Sequence, residues 1–334
     1  MKEKLHTAAE ELLPAIAYGD AAGVPTEGKS TAEIQEVYGE ITELREPVAH
    51  PFFPYEGRGV TSDDTQLSVV TAESLVAAGG FSLEALRDAH IEAYHQTPLV
   101  PRKNGKPTPR RWGGSTTEAV ERMMSGVSPL ESGQKNGGGN GVVMKMAPLA
   151  LWHALREVDQ QTRQEQYDLF TTMTHDTDIA RVCTRLHGEV ISALLKDDIP
   201  FDEVVRRAAH DMREDFPRES ELLLRAIDSP CQDAASLVER YAAGKSGKRY
   251  GFYVPETLAI AYDIFLGSEG DMQTAVYRAV NLGGDSDSTA SIVAAMAVCQ
   301  SGGVYDKPHD IGAVQDIDHL YATSAKLAAA ALKG

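Results

Sequence analysis

Apolar positions recur at helical spacing along most of this chain. In residues 7–18, Ala8, Leu12, Leu13, Ala15, Ile16 and Ala17 follow a 3.6-residue period, which predicts a helix. Small residues follow, Gly19-Asp20-Ala21-Ala22-Gly23, as suits a helix that approaches another element closely. Pro25 is expected to end it and leave Thr26 and Glu27 on a loop. Residues 39–60, broken by prolines and glycines, predict a long irregular segment. A helix then opens at Thr61–Thr65 and runs to Gly79-Gly80. The next, over 82–95, has Leu83, Leu86, Ala89, Ile91 and Tyr94 as core candidates. Ser115 and Glu118 have the spacing of a capping box at a helix start. THDTDIARVCTRLHGEVISALL (174–195) reads as a long amphipathic helix capped by Thr174 or Asp176. Two or three helices with a charged outer face fit 200–245, and an aromatic turn at 250–253 leads into another. The stretch 281–297 reads as one buried helix behind a two-glycine bend. No segment alternates convincingly, and Val142–Met146 is the best candidate for a short strand. The pattern predicts an all-α fold.

Composition narrows the class. The 334 residues suffice for one large domain or two ordinary ones, and 42% of them are hydrophobic. A formal charge of −17 argues against binding nucleic acid backbones but leaves room for anionic small ligands held by cations or helix N-termini. Cys183, Cys231 and Cys299 share no ligand spacing and read as reduced core residues. No apolar run has the length of a membrane span and the start lacks a cleavable leader pattern, so a cytoplasmic location is the expectation.

Two stretches carry chemistry. Thr61-Ser62-Asp63-Asp64-Thr65 and Gly283-Gly284-Asp285-Ser286-Asp287-Ser288 each set hydroxyls and two carboxylates at the mouth of a helix. One aspartate can cap a helix, but two beside each other repel unless something neutralises them. The two mouths are therefore read as facing halves of one cation site, which would make residues 7–300 one folding unit within a single 1–334 domain. Hard oxygen donors favour magnesium, manganese or calcium. Four carboxylates carry −4, which two divalent ions would balance, so the expectation is a binuclear centre of two Mg²⁺, with Mn²⁺ as the substitute. The first shell drawn from these residues is Ser62, Asp63, Asp64, Asp285, Asp287 and Ser288. Five glycines between Gly133 and Gly141 expose backbone N–H groups that suit a phosphate. Tyr250, Phe252 and Tyr253 are either core or a stacking surface for a planar ring, and His175 either caps, packs or faces a ligand. Together these groups suggest hydrolysis of a phosphorylated nucleoside-like ligand.

The same motifs resemble, in consistent order over residues 7–300, those of the ADP-ribosylglycohydrolases, among them the dinitrogenase-reductase-activating glycohydrolase. They are GDAAGVPTE (19–27), SDDT (62–65), NGVVMKMAP (140–148), THDTDIA (174–180) and GGDSDST (283–289). The resemblance implies a compact multi-helix domain with a central cleft holding two Mg²⁺. It also implies Mg-dependent hydrolysis of the glycosidic bond at C1'' of an ADP-ribosyl group, N- or O-linked to a protein side chain or a small molecule. Asp63, Asp64, Asp285, Asp287, Ser62 and Ser288 match metal ligands, and Glu27 lies near the scissile bond or gates the cleft. Gly138, Gly139, Asn140 and Gly141 would surround the pyrophosphate, and His175 would sit by the ribose or diphosphate. Serine at 62 and 288 keeps the oxygen of the commoner threonine, and Lys145 keeps the charge of the commoner arginine but not its planar fork.

The mechanism this favours has Glu27 or Asp64 orient water toward C1'', with nearby carboxylates stabilising positive charge at C1'' and the ring oxygen. The substrate would be an ADP-ribosylated protein or small-molecule conjugate; neither linkage nor oligomeric state follows from the sequence. The alternatives are a metal-dependent hydrolase of another nucleoside or phosphorylated glycoside, and a non-catalytic ADP-ribose-binding module. The basic segment 100–111 matches no motif and is expected to bear on substrate choice.

Overall fold

A computed structural model describes all residues except 1, 49, 51, 52, 54, 55, 102–106, 197, 244–249 and 334. Among the described residues, 66% are helical and fifteen α-helices form the molecule. The first is α1 (Lys2–Gly23), followed by α2 (Thr31–Val37), α3 (Asp63–Ala78) and α4 (Leu83–Gln96). A short antiparallel hairpin of β1 (Leu99–Pro101) and β2 (Pro107–Pro109) comes next, with Val100 opposite Thr108. Then follow α5 (Gly114–Met124), α6 (Ala147–Leu155), α7 (Gln160–Thr172), α8 (Asp178–Lys196), α9 (Phe201–Asp211), α10 (Pro217–Asp228) and α11 (Ala234–Leu237). The chain closes with α12 (Val254–Gly267), α13 (Met272–Leu282), α14 (Ser286–Ser301) and α15 (Ile317–Leu332).

The centre of the molecule is the pair α1 and α14. Neighbours cover both on nearly every side where they meet: α14 is buried from Ser286 to Cys299 and α1 from Leu12 to Gly23. What lets the two come so close is the absence of side chains. A Cβ on Gly19 would lie 2.3 Å from the Ala290 carbonyl oxygen, and one on Gly23 would lie 2.3 Å from Asp287 Cα. The small-residue stretch predicted to permit close approach does so, against α14. Around this pair, α3, α6, α8, α12, α13 and α15 pack their apolar faces into a shared core running from Leu5 to Ala331.

Four local expectations differ from the structure. Val142–Met146 is not a strand but holds a 3₁₀ turn, Val143–Lys145, and the strands lie instead in the proline-rich 99–109 segment. Ser115 caps nothing: α5 begins one residue earlier, with Gly113 as its N-cap. Residues 174 and 176 are also passed over, since α8 starts at Asp178 and the Thr177 hydroxyl accepts from Ala180 N–H. Finally, α1 ends at Gly23, ahead of Pro25, and Glu27 lies in a turn as expected, but Thr26 belongs to a 3₁₀ turn, Val24–Thr26, and not to a loop.

Candidate active site

The two acidic mouths meet. Asp63 and Asp64 at the start of α3 and Asp285, Asp287 and Ser288 at the start of α14 line one cavity of about 210 Å³, together with Glu27. Each mouth is held by residues distant in sequence. Asp20, fully buried on α1, accepts from Ser62 N–H at 2.8 Å, Thr65 N–H at 3.0 Å and the Thr65 hydroxyl at 2.5 Å, and so supplies acceptors to α3's first free donors. Ser62 Oγ accepts from Asp64 N–H at 3.1 Å, and Ser291 of α14 donates to Asp64 Oδ1 at 3.0 Å. Ser288 Oγ lies 3.2 Å from Asp64 Oδ2, which ties the mouths directly.

The glycine bend before α14 is built by the same logic. Gly283 and Gly284 have φ of 88° and 71°, where any other residue is strained. Gly284 exchanges two backbone hydrogen bonds with the 28–29 segment, at 2.8 and 3.0 Å, which fixes Glu27 one residue away. The half-buried Glu27 carboxylate is 3.4 Å from Nε2 of the buried His50. The irregular segment after residue 39 thus supplies a partner to the cavity.

The glycine-rich loop forms the opposite wall. Gly139, Asn140, Gly141 and His175 line the cavity with Phe252, whereas Gly138 lines an adjoining cleft with Gly139, Phe252 and Tyr253. Asn140 organises the junction: its side-chain amide donates to Asp285 Oδ2 at 2.7 Å and to the Gly251 carbonyl at 3.1 Å. Val254 N–H donates to the Gly138 carbonyl, stitching the loop to the aromatic turn. His175 is buried, its pKa lowered to about 3 by burial and the nearby Lys145, so it presents a neutral ring.

Two predicted site residues lie elsewhere. Tyr250 is buried outside the cavity; its hydroxyl donates to the Leu282 carbonyl at 2.7 Å and its ring packs on Gly284, so it shapes the bend and offers no stacking face. Ser62 lines a neighbouring cavity and reaches the acids only through its contacts with Asp64. The sequence assigned no part to Asp20 or His50, and it placed Arg111 only within the basic 100–111 segment expected to bear on substrate choice. Asp20 did leave a signal, an acid amid small residues in an apolar helix.

The electrostatics explain what the cavity needs. Burial raises the pKa of Asp63 to about 7, an effect that Gly113 N–H opposes and the charges of Glu27 and Asp20 reinforce. Burial likewise lifts Asp285 to about 7, and burial with repulsion from neighbouring acids drives Asp64 and Asp287 well above the ordinary carboxylate range. Asp287 Oδ1 is buried with no hydrogen-bond partner. A buried lone pair left unmatched among four acids is what a bound cation would satisfy, and the donors are all hard oxygens.

A larger cavity of about 630 Å³ lies beyond Arg111, which lines both. Among the acids lining it, Glu56 pairs with Arg110 and Arg111, and Glu73 lies 3.7 Å from His319. A separate trio, Glu43, His309 and Asp310, brings potential ligand atoms within 4.8 Å of one another. Asp310 there already accepts from the Tyr18 hydroxyl and Leu44 N–H, which makes it a staple between elements.

A family model described as ADP-ribosylglycohydrolase matches residues 1–320. An uncharacterised protein of Archaeoglobus fulgidus is 28% identical over 289 residues, covering 84% of this chain and 83% of its own. A solved structure titled "ADP-ribosylglycohydrolase-related protein complex" superposes with a TM-score of 0.70 at 22% identity, covering 99% of this chain and 100% of that one; it shares the fold.

Proposed function

The chain belongs to the ADP-ribosylglycohydrolase family, and from that premise we propose that it hydrolyses the glycosidic bond at C1'' of an ADP-ribosyl conjugate in a Mg²⁺-dependent reaction. The observation that carries the proposal is one cavity lined by four buried aspartates from two helix mouths, with an unpaired Asp287 oxygen and Glu27 at its edge.

Asp63, Asp64, Asp285, Asp287 and Ser288 would hold two Mg²⁺ ions, with Ser62 supporting Asp64 from behind. When bound, such ions offset the carboxylate charge and polarise ribose oxygens. The chain's own groups do the rest. Glu27, held by His50 and by the paired 28–284 backbone, orients water toward C1'' and takes its proton. The water oxygen bonds to C1'' as the bond to the departing atom breaks, and a proton ends on that atom. Carboxylates around the cavity stabilise positive charge developing at C1'' and the ring oxygen. The backbone N–H groups of Gly138, Gly139 and Gly141 would face the pyrophosphate, that of Asn140 being donated to the Phe252 carbonyl, and the exposed ring of Phe252 offers a stacking face. Neutral His175 adds a polar contact without a charge.

The test is a Mg²⁺-supplemented screen of chemically distinct ADP-ribosyl conjugates, read as free ADP-ribose. Wild-type protein is expected to release it, and Asp285→Asn to lose activity by at least about a hundredfold with its helicity unchanged. Glu27→Gln is expected to lower turnover more than affinity. No release from any conjugate, or an Asp285→Asn variant as active as wild type, would overturn the assignment.

A further inference from the structure

Asp20 does not line the acidic cavity, yet its carboxylate is wholly buried and, among the described residues, finds its hydrogen-bond partners at the start of α3, on Ser62 and Thr65. That helix already has a cap of its own, since Ser62 Oγ accepts from Asp64 N–H. One such side chain serves other helices of the molecule, Ser82 on α4 and Asp159 on α7. A second cap, charged, buried and brought from another helix, is more than the stability of α3 requires, and burying its charge is costly.

What the second cap adds is position. Gly19 and Gly23 set α1 flush against α14, at Ala290–Ser291 and at Asp287, and Asp20 between them holds the first turn of α3. One helix thereby fixes the spacing of the two acidic mouths. Asp64 is held at both ends: its backbone lies between Ser62 and Thr65, and its Oδ1 accepts from Ser291 of α14 at 3.0 Å. Its Oδ2 lies 3.2 Å from Ser288 Oγ, so oxygens of the opposing mouths already stand in contact. A wider shell of ligands would have to push the mouths apart, and these ties resist it. Mg²⁺ needs a tight octahedral shell at roughly 2.0–2.1 Å, whereas Ca²⁺ takes more ligands at about 2.3–2.6 Å in looser geometry.

Building on the metal-dependent reading of this cavity, we propose that Asp20 and Ser291 are positioning residues that hold the two helix mouths at a spacing suited to Mg²⁺ and so select it over Ca²⁺. Neither touches substrate; both act through Asp64 and the turn that carries it.

The test titrates full-length protein, stripped with chelator and desalted, with magnesium or calcium chloride in a calorimeter and compares the overall Kd for each ion. Wild type is expected to bind Mg²⁺ more tightly. Asp20→Ala removes the remote cap and should shift the ratio of the two Kd values toward Ca²⁺ at least about fivefold. Asp20→Asn keeps an oxygen that accepts from Ser62 and Thr65 but loses the charge; both ions are divalent, so it should weaken both alike and hold the ratio within about twofold. Ser291→Ala changes no charge and should shift the ratio in the same direction as Asp20→Ala. Ser82→Ala, which removes an ordinary cap on α4, should lower Tm and leave both Kd values in place. Should Asp20→Ala not fold, Ser291→Ala decides alone. Tighter binding of Ca²⁺ by wild type, or a ratio unchanged in the folded variants, would overturn this inference and leave the metal centre standing. Binding of neither ion by wild type would instead remove the metal-dependent reading, and this inference with it.

Discussion

Lys145 illustrates how a single side chain takes its properties from its surroundings. It is fully buried, and its Nζ lies 3.0 Å from His90 Nε2. His90 Nδ1 is 2.8 Å from the Leu86 carbonyl, which can only accept, so the proton sits on Nδ1 and Nε2 accepts from the lysine. Burial lowers the lysine pKa from 10.5 to about 7, with Asp63 opposing the shift. A lysine at this position was expected to keep the charge of an arginine; in this setting it can shed it, which an arginine could not. Between pH 7 and 10.5 the unfolded chain holds a proton on Lys145 that the folded chain has released, so this residue's contribution to stability rises with pH across that window. The stability difference between wild type and Lys145→Met should therefore grow in wild type's favour from pH 7 upward, with a slope no steeper than about 1.4 kcal/mol per pH unit. Chemical denaturation at several pH values measures it. A difference that stays flat would mean that the folded protein keeps the lysine charged.

At the scale of elements, the closeness of α1 and α14 decides the site. Gly23 faces the backbone at Asp287, so Gly23→Ala would force the helices apart where a metal-binding carboxylate is proposed. The expected result is destabilisation on the order of 3 kcal/mol, with activity lost beyond what the fall in folded protein explains. Ser30→Ala, which removes a capping box on exposed α2, serves as the control: it should cost only about 1 kcal/mol and leave turnover intact. These helices were legible because their signals are local. An apolar period and acids at the mouth, with glycines after α3 and before α14, were enough to place both helices, although the stretch read as 281–297 is α14 at Ser286–Ser301, and two such mouths invited the expectation that they meet. The hairpin was not legible, since Leu99–Pro109 has prolines where a strand would alternate. Nor were the contributions of His50, Phe53 and Glu56, which lie in an aperiodic segment and reach the acidic cavity only through Glu27 and Arg111, residues brought to them by the fold. Tyr250 failed for the opposite reason: an aromatic in a glycine turn looks the same in sequence whether it stacks on a ligand or fills the bend.

For the whole molecule, the charge of −17 and the buried acids make folding and ion binding one problem. Without ions, Asp63 and Asp285, with pKa values raised from 3.8 to about 7, hold protons between those limits that the unfolded chain releases. Their contribution to stability is therefore present at low pH and is lost as pH rises toward 7. Divalent ions bound at the same carboxylates would reverse the sign, because binding requires the deprotonated form and protons compete with the ion. Chelator-treated protein should gain Tm when Mg²⁺ is added, and the gain at pH 8 should exceed the gain at pH 6. Acids elsewhere on the surface contribute to both titrations and cancel in the comparison. The Asp285→Asn variant should show a smaller gain at both values. If the Mg²⁺-dependent rise were the same at pH 6 and pH 8, or absent in wild type, the buried aspartates would not be ion ligands, and the unpaired oxygen of Asp287 would need another partner.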